Sequence, residues 1–239
     1  DPASQGSVPQ ERMTVHYRGL ITKGEELRYV SHLDYANLFV RACKRAGLPM
    51  AYSEGFNPHM KVAFASALSL GAASDAEYVD FEMTEELPPH EVMQRLRDQL
   101  PRGAEIIRLR LQEGKHRALM ADVDEARYRL KIPYEGELAP VRESVRRYNS
   151  AAHAVWERVT PKKSRSIETK EYIKAPISFQ YENGCLILWM NLVVSPAGSV
   201  KPIEVLSVMV RDFALPVDPA EAYVTRTGLF AEGTALIDR

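Results

Sequence analysis

Two histidines carry the clearest chemical potential in this 239-residue chain. His32 lies in "VSHLDYANLF" and His59 in "AYSEGFNPHMK", and each has polar neighbours at close spacing. If the two imidazoles converge, they form a general base and acid suited to cleaving RNA through its 2′-hydroxyl. Ser53, Asn57 and Lys61 place further polar groups around His59, and Phe56 offers a ring face. Donors beside an exposed ring suit a nucleotide or a phosphodiester. Ser31, His32 and Asp34 open a helix, where backbone N–H groups and the macrodipole favour an anion, and Arg28 lies just upstream. These residues are the expected substrate-binding set. Each also has a plain structural reading. Asn57-Pro58 and Gly55 suffice for a tight turn, and Ser31 with Asp34 suffices for a helix cap.

A second candidate is cationic. Residues 157–174, "ERVTPKKSRSIETKEYIK", hold Arg158, Lys162, Lys163, Arg165, Lys170 and Lys174 against Glu157, Glu168 and Glu171. The preceding helix adds Arg142, Arg146 and Arg147, with Tyr148 beside them. Arg146, Arg147, Lys162, Lys163 and Arg165 are the expected nucleic-acid contacts, because cations interleaved with rings neutralise phosphates and stack bases. The whole chain is nearly neutral, at −1, so any polyanion site must be a local patch. A solvated loop is the bland alternative.

Composition narrows the remaining classes. A hydrophobic content of 45% with 26% charged residues fits a globular chain with a buried core. Cys43 and Cys185 are far apart and lack CxxC spacing, which excludes a sequence-evident zinc ribbon or cysteine-ligated cluster and suits a reducing cytoplasm. No phosphate loop, GxGxxG, HExxH or GxSxG occurs, so no cofactor and no metal are expected. No apolar run is long enough to span a membrane.

The elements that must position these residues follow from periodicity. Residues 1–12 read as a disordered leader. From 13 to 112 the order is β-α-β-β-α-β, with a helix over 32–46 whose face carries Leu33, Ala36, Val40 and Cys43. A polar linker, 113–125, follows. From 126 to 215 the pattern restarts as β-α-β-β-β-α, with Asn183-Gly184 marking a hairpin. Residues 216–239 read as a weakly periodic tail. The expected fold is α+β, as two tandem ferredoxin-like (split βαβ) units with antiparallel sheets.

Leu27-Arg28, Ser31-His32-Leu33-Asp34 and Tyr52-Ser53 with Gly55-Phe56-Asn57-Pro58-His59 together resemble the uncharacterised bacterial radical-SAM-linked proteins. Glu54 stands where glutamine is usual in that family, and the likeness covers most of residues 13–112. Such proteins occur free-standing or fused C-terminal to cobalamin-binding radical SAM proteins, often encoded near ribosome and RNA-processing functions. The resemblance implies an accessory RNA-binding module beside a radical SAM enzyme. A metal-independent endoribonuclease using His32 and His59, or a protein-interaction adaptor for that enzyme, stands as the alternative.

Overall fold

The computed structural model describes residues 13–114 and 117–239. The expected leader, 1–12, and residues 115–116 of the expected linker lie outside the described residues.

In the first half, β1 (Val15–Lys23) leads to α1 (His32–Arg45), then to β2 (Val62–Phe64), β3 (Ala73–Met83), α2 (Pro89–Arg97) and β4 (Ile106–Gln112). Ser31 caps α1: its Oγ accepts from the Asp34 N–H at 3.1 Å and donates to Asp34 Oδ2 at 2.7 Å. Tyr35, Phe39, Ala42 and Cys43 are the residues α1 buries. Leu33 is not on that face but largely exposed. The stripe is set instead by the two aromatic rings, and the Tyr35 hydroxyl donates to the Thr22 carbonyl at 2.6 Å, locking the helix onto β1. The strands run antiparallel in the order β4-β1-β3-β2, with Tyr17 opposite Phe81 and Val62 opposite Phe81 on the other side.

Within the expected linker, α3 (Leu119–Asp122) is a structural element, since Leu119 and Val123 are buried. The second half comprises β5 (Glu125–Pro133), α4 (Leu138–Ser150), β6 (Val155–Thr160), β7 (Lys163–Glu168), β8 (Ser178–Glu182), β9 (Cys185–Ser195), β10 (Gly198–Ser199), α5 (Pro202–Phe213), β11 (Tyr223–Ala231) and β12 (Thr234–Ala235). Asn183 and Gly184 both take positive φ, 50° and 74°, and close the β8–β9 turn. β6 and β7 form a separate two-stranded hairpin.

The expected tail is the joint of the molecule. β11 pairs antiparallel with β5 along most of its length and parallel with β3 through Thr225 opposite Ala73 and Arg226 opposite Ser74. The two separate sheets expected are therefore one ten-stranded, mostly antiparallel sheet among the described residues, running β10-β9-β5-β11-β3-β1-β4 along its main path. β3 accordingly begins at Ala73, inside a segment that reads locally as a connection, because its partner lies about 150 positions downstream.

Three cores hold this arrangement. One lies beneath α1 and α2, a second beneath α4 and α5. The third closes the joint, where Ala76 and Tyr78 of β3 meet Leu229 of β11, Leu119 of α3, and Leu236 and Ile237 of the C-terminal turn. Each fully buried leucine there contributes at most about 1.5–3 kcal/mol, so α3 and the last residues are part of the fold's stability.

Candidate functional site

The loop from Ser53 to His59 is a fastened tip. Its neck is closed by the Tyr52–Met60 bridge, by the Ser53 N–H donating to the His59 carbonyl at 2.8 Å, and by the His59 N–H donating to Ser53 Oγ at 3.1 Å. Ser53 Oγ also pairs with His59 Nδ1 at 2.8 Å. The Ser53 and His59 side chains thus hold the turn that Gly55, with φ of 116°, allows. Asn57 and Pro58 are exposed on the tip, and the Phe56 ring is bare to solvent. Lys61 is engaged at the base, its ammonium donating to Glu82 Oε2 at 2.9 Å. Burial pushes the Glu82 carboxyl up, but Lys61 and the Thr14 hydroxyl more than offset this and leave it below the usual range.

His32 has other neighbours. Half-buried at the start of α1, its ring meets Phe64 edge-on at 5.8 Å. Burial lowers its pKa, Glu77 opposes that, and Arg226 and Lys23 reinforce it. No hydrogen bond or ring contact joins His32 to His59 among the described residues. From His59 to Phe64 the chain spans at most roughly 16 Å if fully extended. Ser31 and Asp34 are taken up by the cap.

Beneath His32 lies a buried charged cluster that no local pattern announces. Arg226 of β11 donates to Glu77 Oε2 at 2.8 Å, to the Ser66 carbonyl at 3.0 Å and to Ser66 Oγ at 2.9 Å. Both charged side chains are almost wholly buried. Burial opposes the Arg226 charge, yet Glu77 and Tyr128 more than compensate and raise its pKa. Lys23, also buried, donates to the Val30 carbonyl at 2.6 Å; burial lowers its pKa against the pull of Glu77. Among the described residues, Glu77 Oε1 and Arg226 Nε have no hydrogen-bond partner. A buried pair of this kind is costly to desolvate and costlier to break.

By gripping Ser66, Arg226 anchors the segment that walls a cleft between the halves. The cleft encloses about 280 Å³ and is lined by Arg28, Tyr29, Leu70, Tyr128, Lys201 and Ile203, among others. A neighbouring cavity of about 360 Å³ shares Leu68, Ser69, Tyr128, Lys201 and Pro202 with it. Arg28 is the one expected substrate-binding residue on this wall, its guanidinium 4.6 Å from the Tyr29 ring and 4.8 Å from the Tyr223 ring.

The cationic stretch divides into paired and unpaired charges. Arg158 makes two bonds to Glu204, at 2.7 and 2.6 Å, tying the hairpin to α5. Lys170 donates to the Tyr148 and Asn149 carbonyls at 2.7 and 3.2 Å, and Lys174 bridges Asp124 and Glu125. Arg146 forms a fork with Glu143, and Arg147 lies 5.8 Å from the Phe213 ring. Tyr148 does not offer a stacking face: it is fully buried, hydrogen-bonded to Thr169. Lys162 and Lys163 at the hairpin end, and Arg165 opposite Arg158 in mid-hairpin, remain exposed without an ion pair among the described residues.

Sequence reasoning missed Glu77, Tyr128, Lys201 and Arg226. The only local signal was a charged residue inside the strand-like "VTRTGLF", and its partner was invisible at that range. Among the described residues, no group of three or more His, Cys, Asp or Glu side chains is placed to hold a metal ion, and no helix is long and apolar enough to cross a membrane.

None of the curated proteins matches the chain. Among solved structures, the chain is similar to one titled "Crystal Structure of a Cbf5-Nop10-Gar1 Complex", at 11% identity and a TM-score of 0.46, over 90% of this chain. The chain spans 50% of the length of that match. It is also similar to "Crystal Structure of an Unknown Protein from Galdieria sulphuraria", at 14% identity and a TM-score of 0.27, over 90% of this chain and 99% of that one. A family model described as "Uncharacterized protein conserved in bacteria (DUF2344)" matches residues 16–202, and the chain belongs to that family.

Proposed function

We propose that this chain is a non-catalytic accessory module that binds RNA and works beside a radical SAM enzyme in the cytoplasm, in RNA modification or processing. The observation that carries the RNA reading is the β6–β7 hairpin, where Lys162, Lys163 and Arg165 are exposed and have no carboxylate partner among the described residues, while Arg158, Lys170 and Lys174 are consumed by structural bonds. Unpaired cations on one projecting element supply the counterion-releasing contacts that phosphates need. The bare Phe56 ring adds a stacking face of the type single strands use. The partner enzyme rests on the resemblance carried by the motifs around His32 and His59.

The strand orders favour the finer architecture. β4-β1-β3-β2 in the first half and β11-β5-β9-β8 in the second are the same antiparallel arrangement, which supports two split-βαβ units fused edge to edge through β11 and β3. The paired-histidine nuclease has less support, because each imidazole has its own separate neighbours.

Fluorescence anisotropy with a labelled single-stranded RNA tests the reading. Binding at low salt that weakens steeply with added salt, and weakens again when Lys162, Lys163 and Arg165 are changed to glutamate, is the expected result. Absence of binding at low salt, or affinity untouched by the charge reversal, rejects it. For the partner, co-purification with a radical SAM protein is the corresponding measurement.

A further inference from the structure

The cleft at the joint of the two halves has a chemical character of its own. Its lining contains two cations, Arg28 from the first half and Lys201 from the second, and no carboxylate. Arg28 is held by the rings of Tyr29 and Tyr223 and by a 2.5 Å bond to the Tyr29 hydroxyl, and makes no ion pair among the described residues. The backbone N–H of Lys201 donates to Glu204 Oε2, and Lys201, an exposed residue, borders both cavities. A cavity with positive charge and no acid favours an anion and gives nothing to an ammonium group, which disfavours amino acids and polyamines. Apart from Ser69 and Gly71, the rest of the lining is apolar or aromatic, with Tyr29, Tyr128, Leu70 and Ile203. That surface accepts a flat, weakly polar body. The two adjoining cavities together fall in the range of small-molecule sites, roughly 300–1,000 Å³.

The cleft is also preformed. Arg226, anchored on Glu77, fastens Ser66 and Ala67 at the start of the wall that continues through Leu68 to Ala72. A wall fixed from the buried side needs little ordering when a ligand enters, which preserves affinity.

We propose that this cleft binds a nucleoside monophosphate, free or as the terminal nucleotide of an RNA strand. Arg28 and Lys201 take the phosphate, and the ring-and-aliphatic lining takes the base. The site goes beyond the hairpin reading and does not need it to hold.

The test is a titration of the amide resonances of the full chain with 5′-AMP, alongside adenosine, inorganic phosphate and a short RNA. AMP is expected to shift Tyr29, Gly71 and Ile203 saturably, with adenosine and phosphate each at least tenfold weaker. Lys201→Ala and Arg28→Ala should each weaken AMP about tenfold, the loss of one charge-assisted hydrogen bond. Leu70→Trp, which fills the cleft from a largely exposed position, should block AMP without altering its charge. If the RNA shifts the same residues as AMP, the ligand is a strand terminus; if RNA shifts only residues 162–165 while AMP shifts the cleft, it is the free nucleotide. No saturable shift at millimolar AMP, or shifts unchanged in both Lys201→Ala and Leu70→Trp, overturns the site. RNA binding at the hairpin that persists alongside that failure leaves the module reading standing and removes this one.

Discussion

Arg226 and Glu77 meet as a buried ion pair, Nη2 to Oε2 at 2.8 Å, although 149 positions separate them in the chain. The pair sits where β11 and β3 run parallel, so it couples β11 of the second half to the middle of the first. It also holds the cleft wall through Ser66. One interaction therefore serves the joint and the candidate site together.

Removing one partner should expose that dependence. Arg226→Met leaves the Glu77 carboxylate buried without its counter-charge and should cost roughly 3–5 kcal/mol in urea unfolding. Arg226→Met combined with Glu77→Leu should cost less than the single change, because no carboxylate is then buried without Arg226, although Lys23 loses the pull of Glu77. A single variant as stable as the parent would show that the pair contributes little.

The His32 imidazole gives a pH signature. Burial, with Arg226 and Lys23, holds its folded pKa below 6.5 despite Glu77. A depressed histidine takes up its proton more readily when unfolded, so its stabilising contribution is full above about 6.5 and is lost as pH falls toward the folded value. The urea midpoint should drop between pH 7.5 and 5.5 by more in the parent than in His32→Gln. Equal drops would place the titration elsewhere.

The hairpin end and the loop tip should matter for RNA and not for folding. Lys162, Lys163 and Arg165 changed to glutamate, or Phe56→Ala, should each leave unfolding free energy within about 0.5 kcal/mol. The charge reversal should also flatten the logarithmic salt dependence of binding by about 2, at about 0.7 per phosphate contact on a single strand. Anisotropy at several salt concentrations reads both effects.

Arg158 should act as the hairpin's anchor. Arg158→Ala removes two charge-assisted bonds to a nearly buried carboxylate and should cost about 1.5–3 kcal/mol. Hydrogen exchange should quicken in β6 and β7 first. Burial pushes the Glu204 carboxyl up, but Arg158 and the Lys201 N–H hold it below 4.5. Its stabilising share is thus present above about 4.5 and lost as pH falls through the folded value. That acid-side loss should shrink in Arg158→Ala.

What could be read locally was read from local forces. The Ser31 cap, the extent of α1 and the Asn183-Gly184 turn all arise from contacts within a few residues, which a sequence displays directly. The Ser53 to His59 turn was equally legible, though not that Ser53 and His59 use their side chains to close it. The rotation of α1 that exposes Leu33 was not, because it depends on where Tyr35 and Phe39 find room against the sheet.

By itself, the sequence determined an α+β chain with two similar runs of elements, a turn bearing Phe56, and a cationic segment between strands. Tertiary structure decided that β11 joins the halves into one sheet, that Arg226 faces Glu77, that Arg28 and Lys201 border one cleft, and which cations stay unpaired. The physical reason is range. Caps and turns satisfy backbone groups within a few residues, whereas a strand's partner and a buried charge's counter-ion are chosen by chain segments more than a hundred positions away.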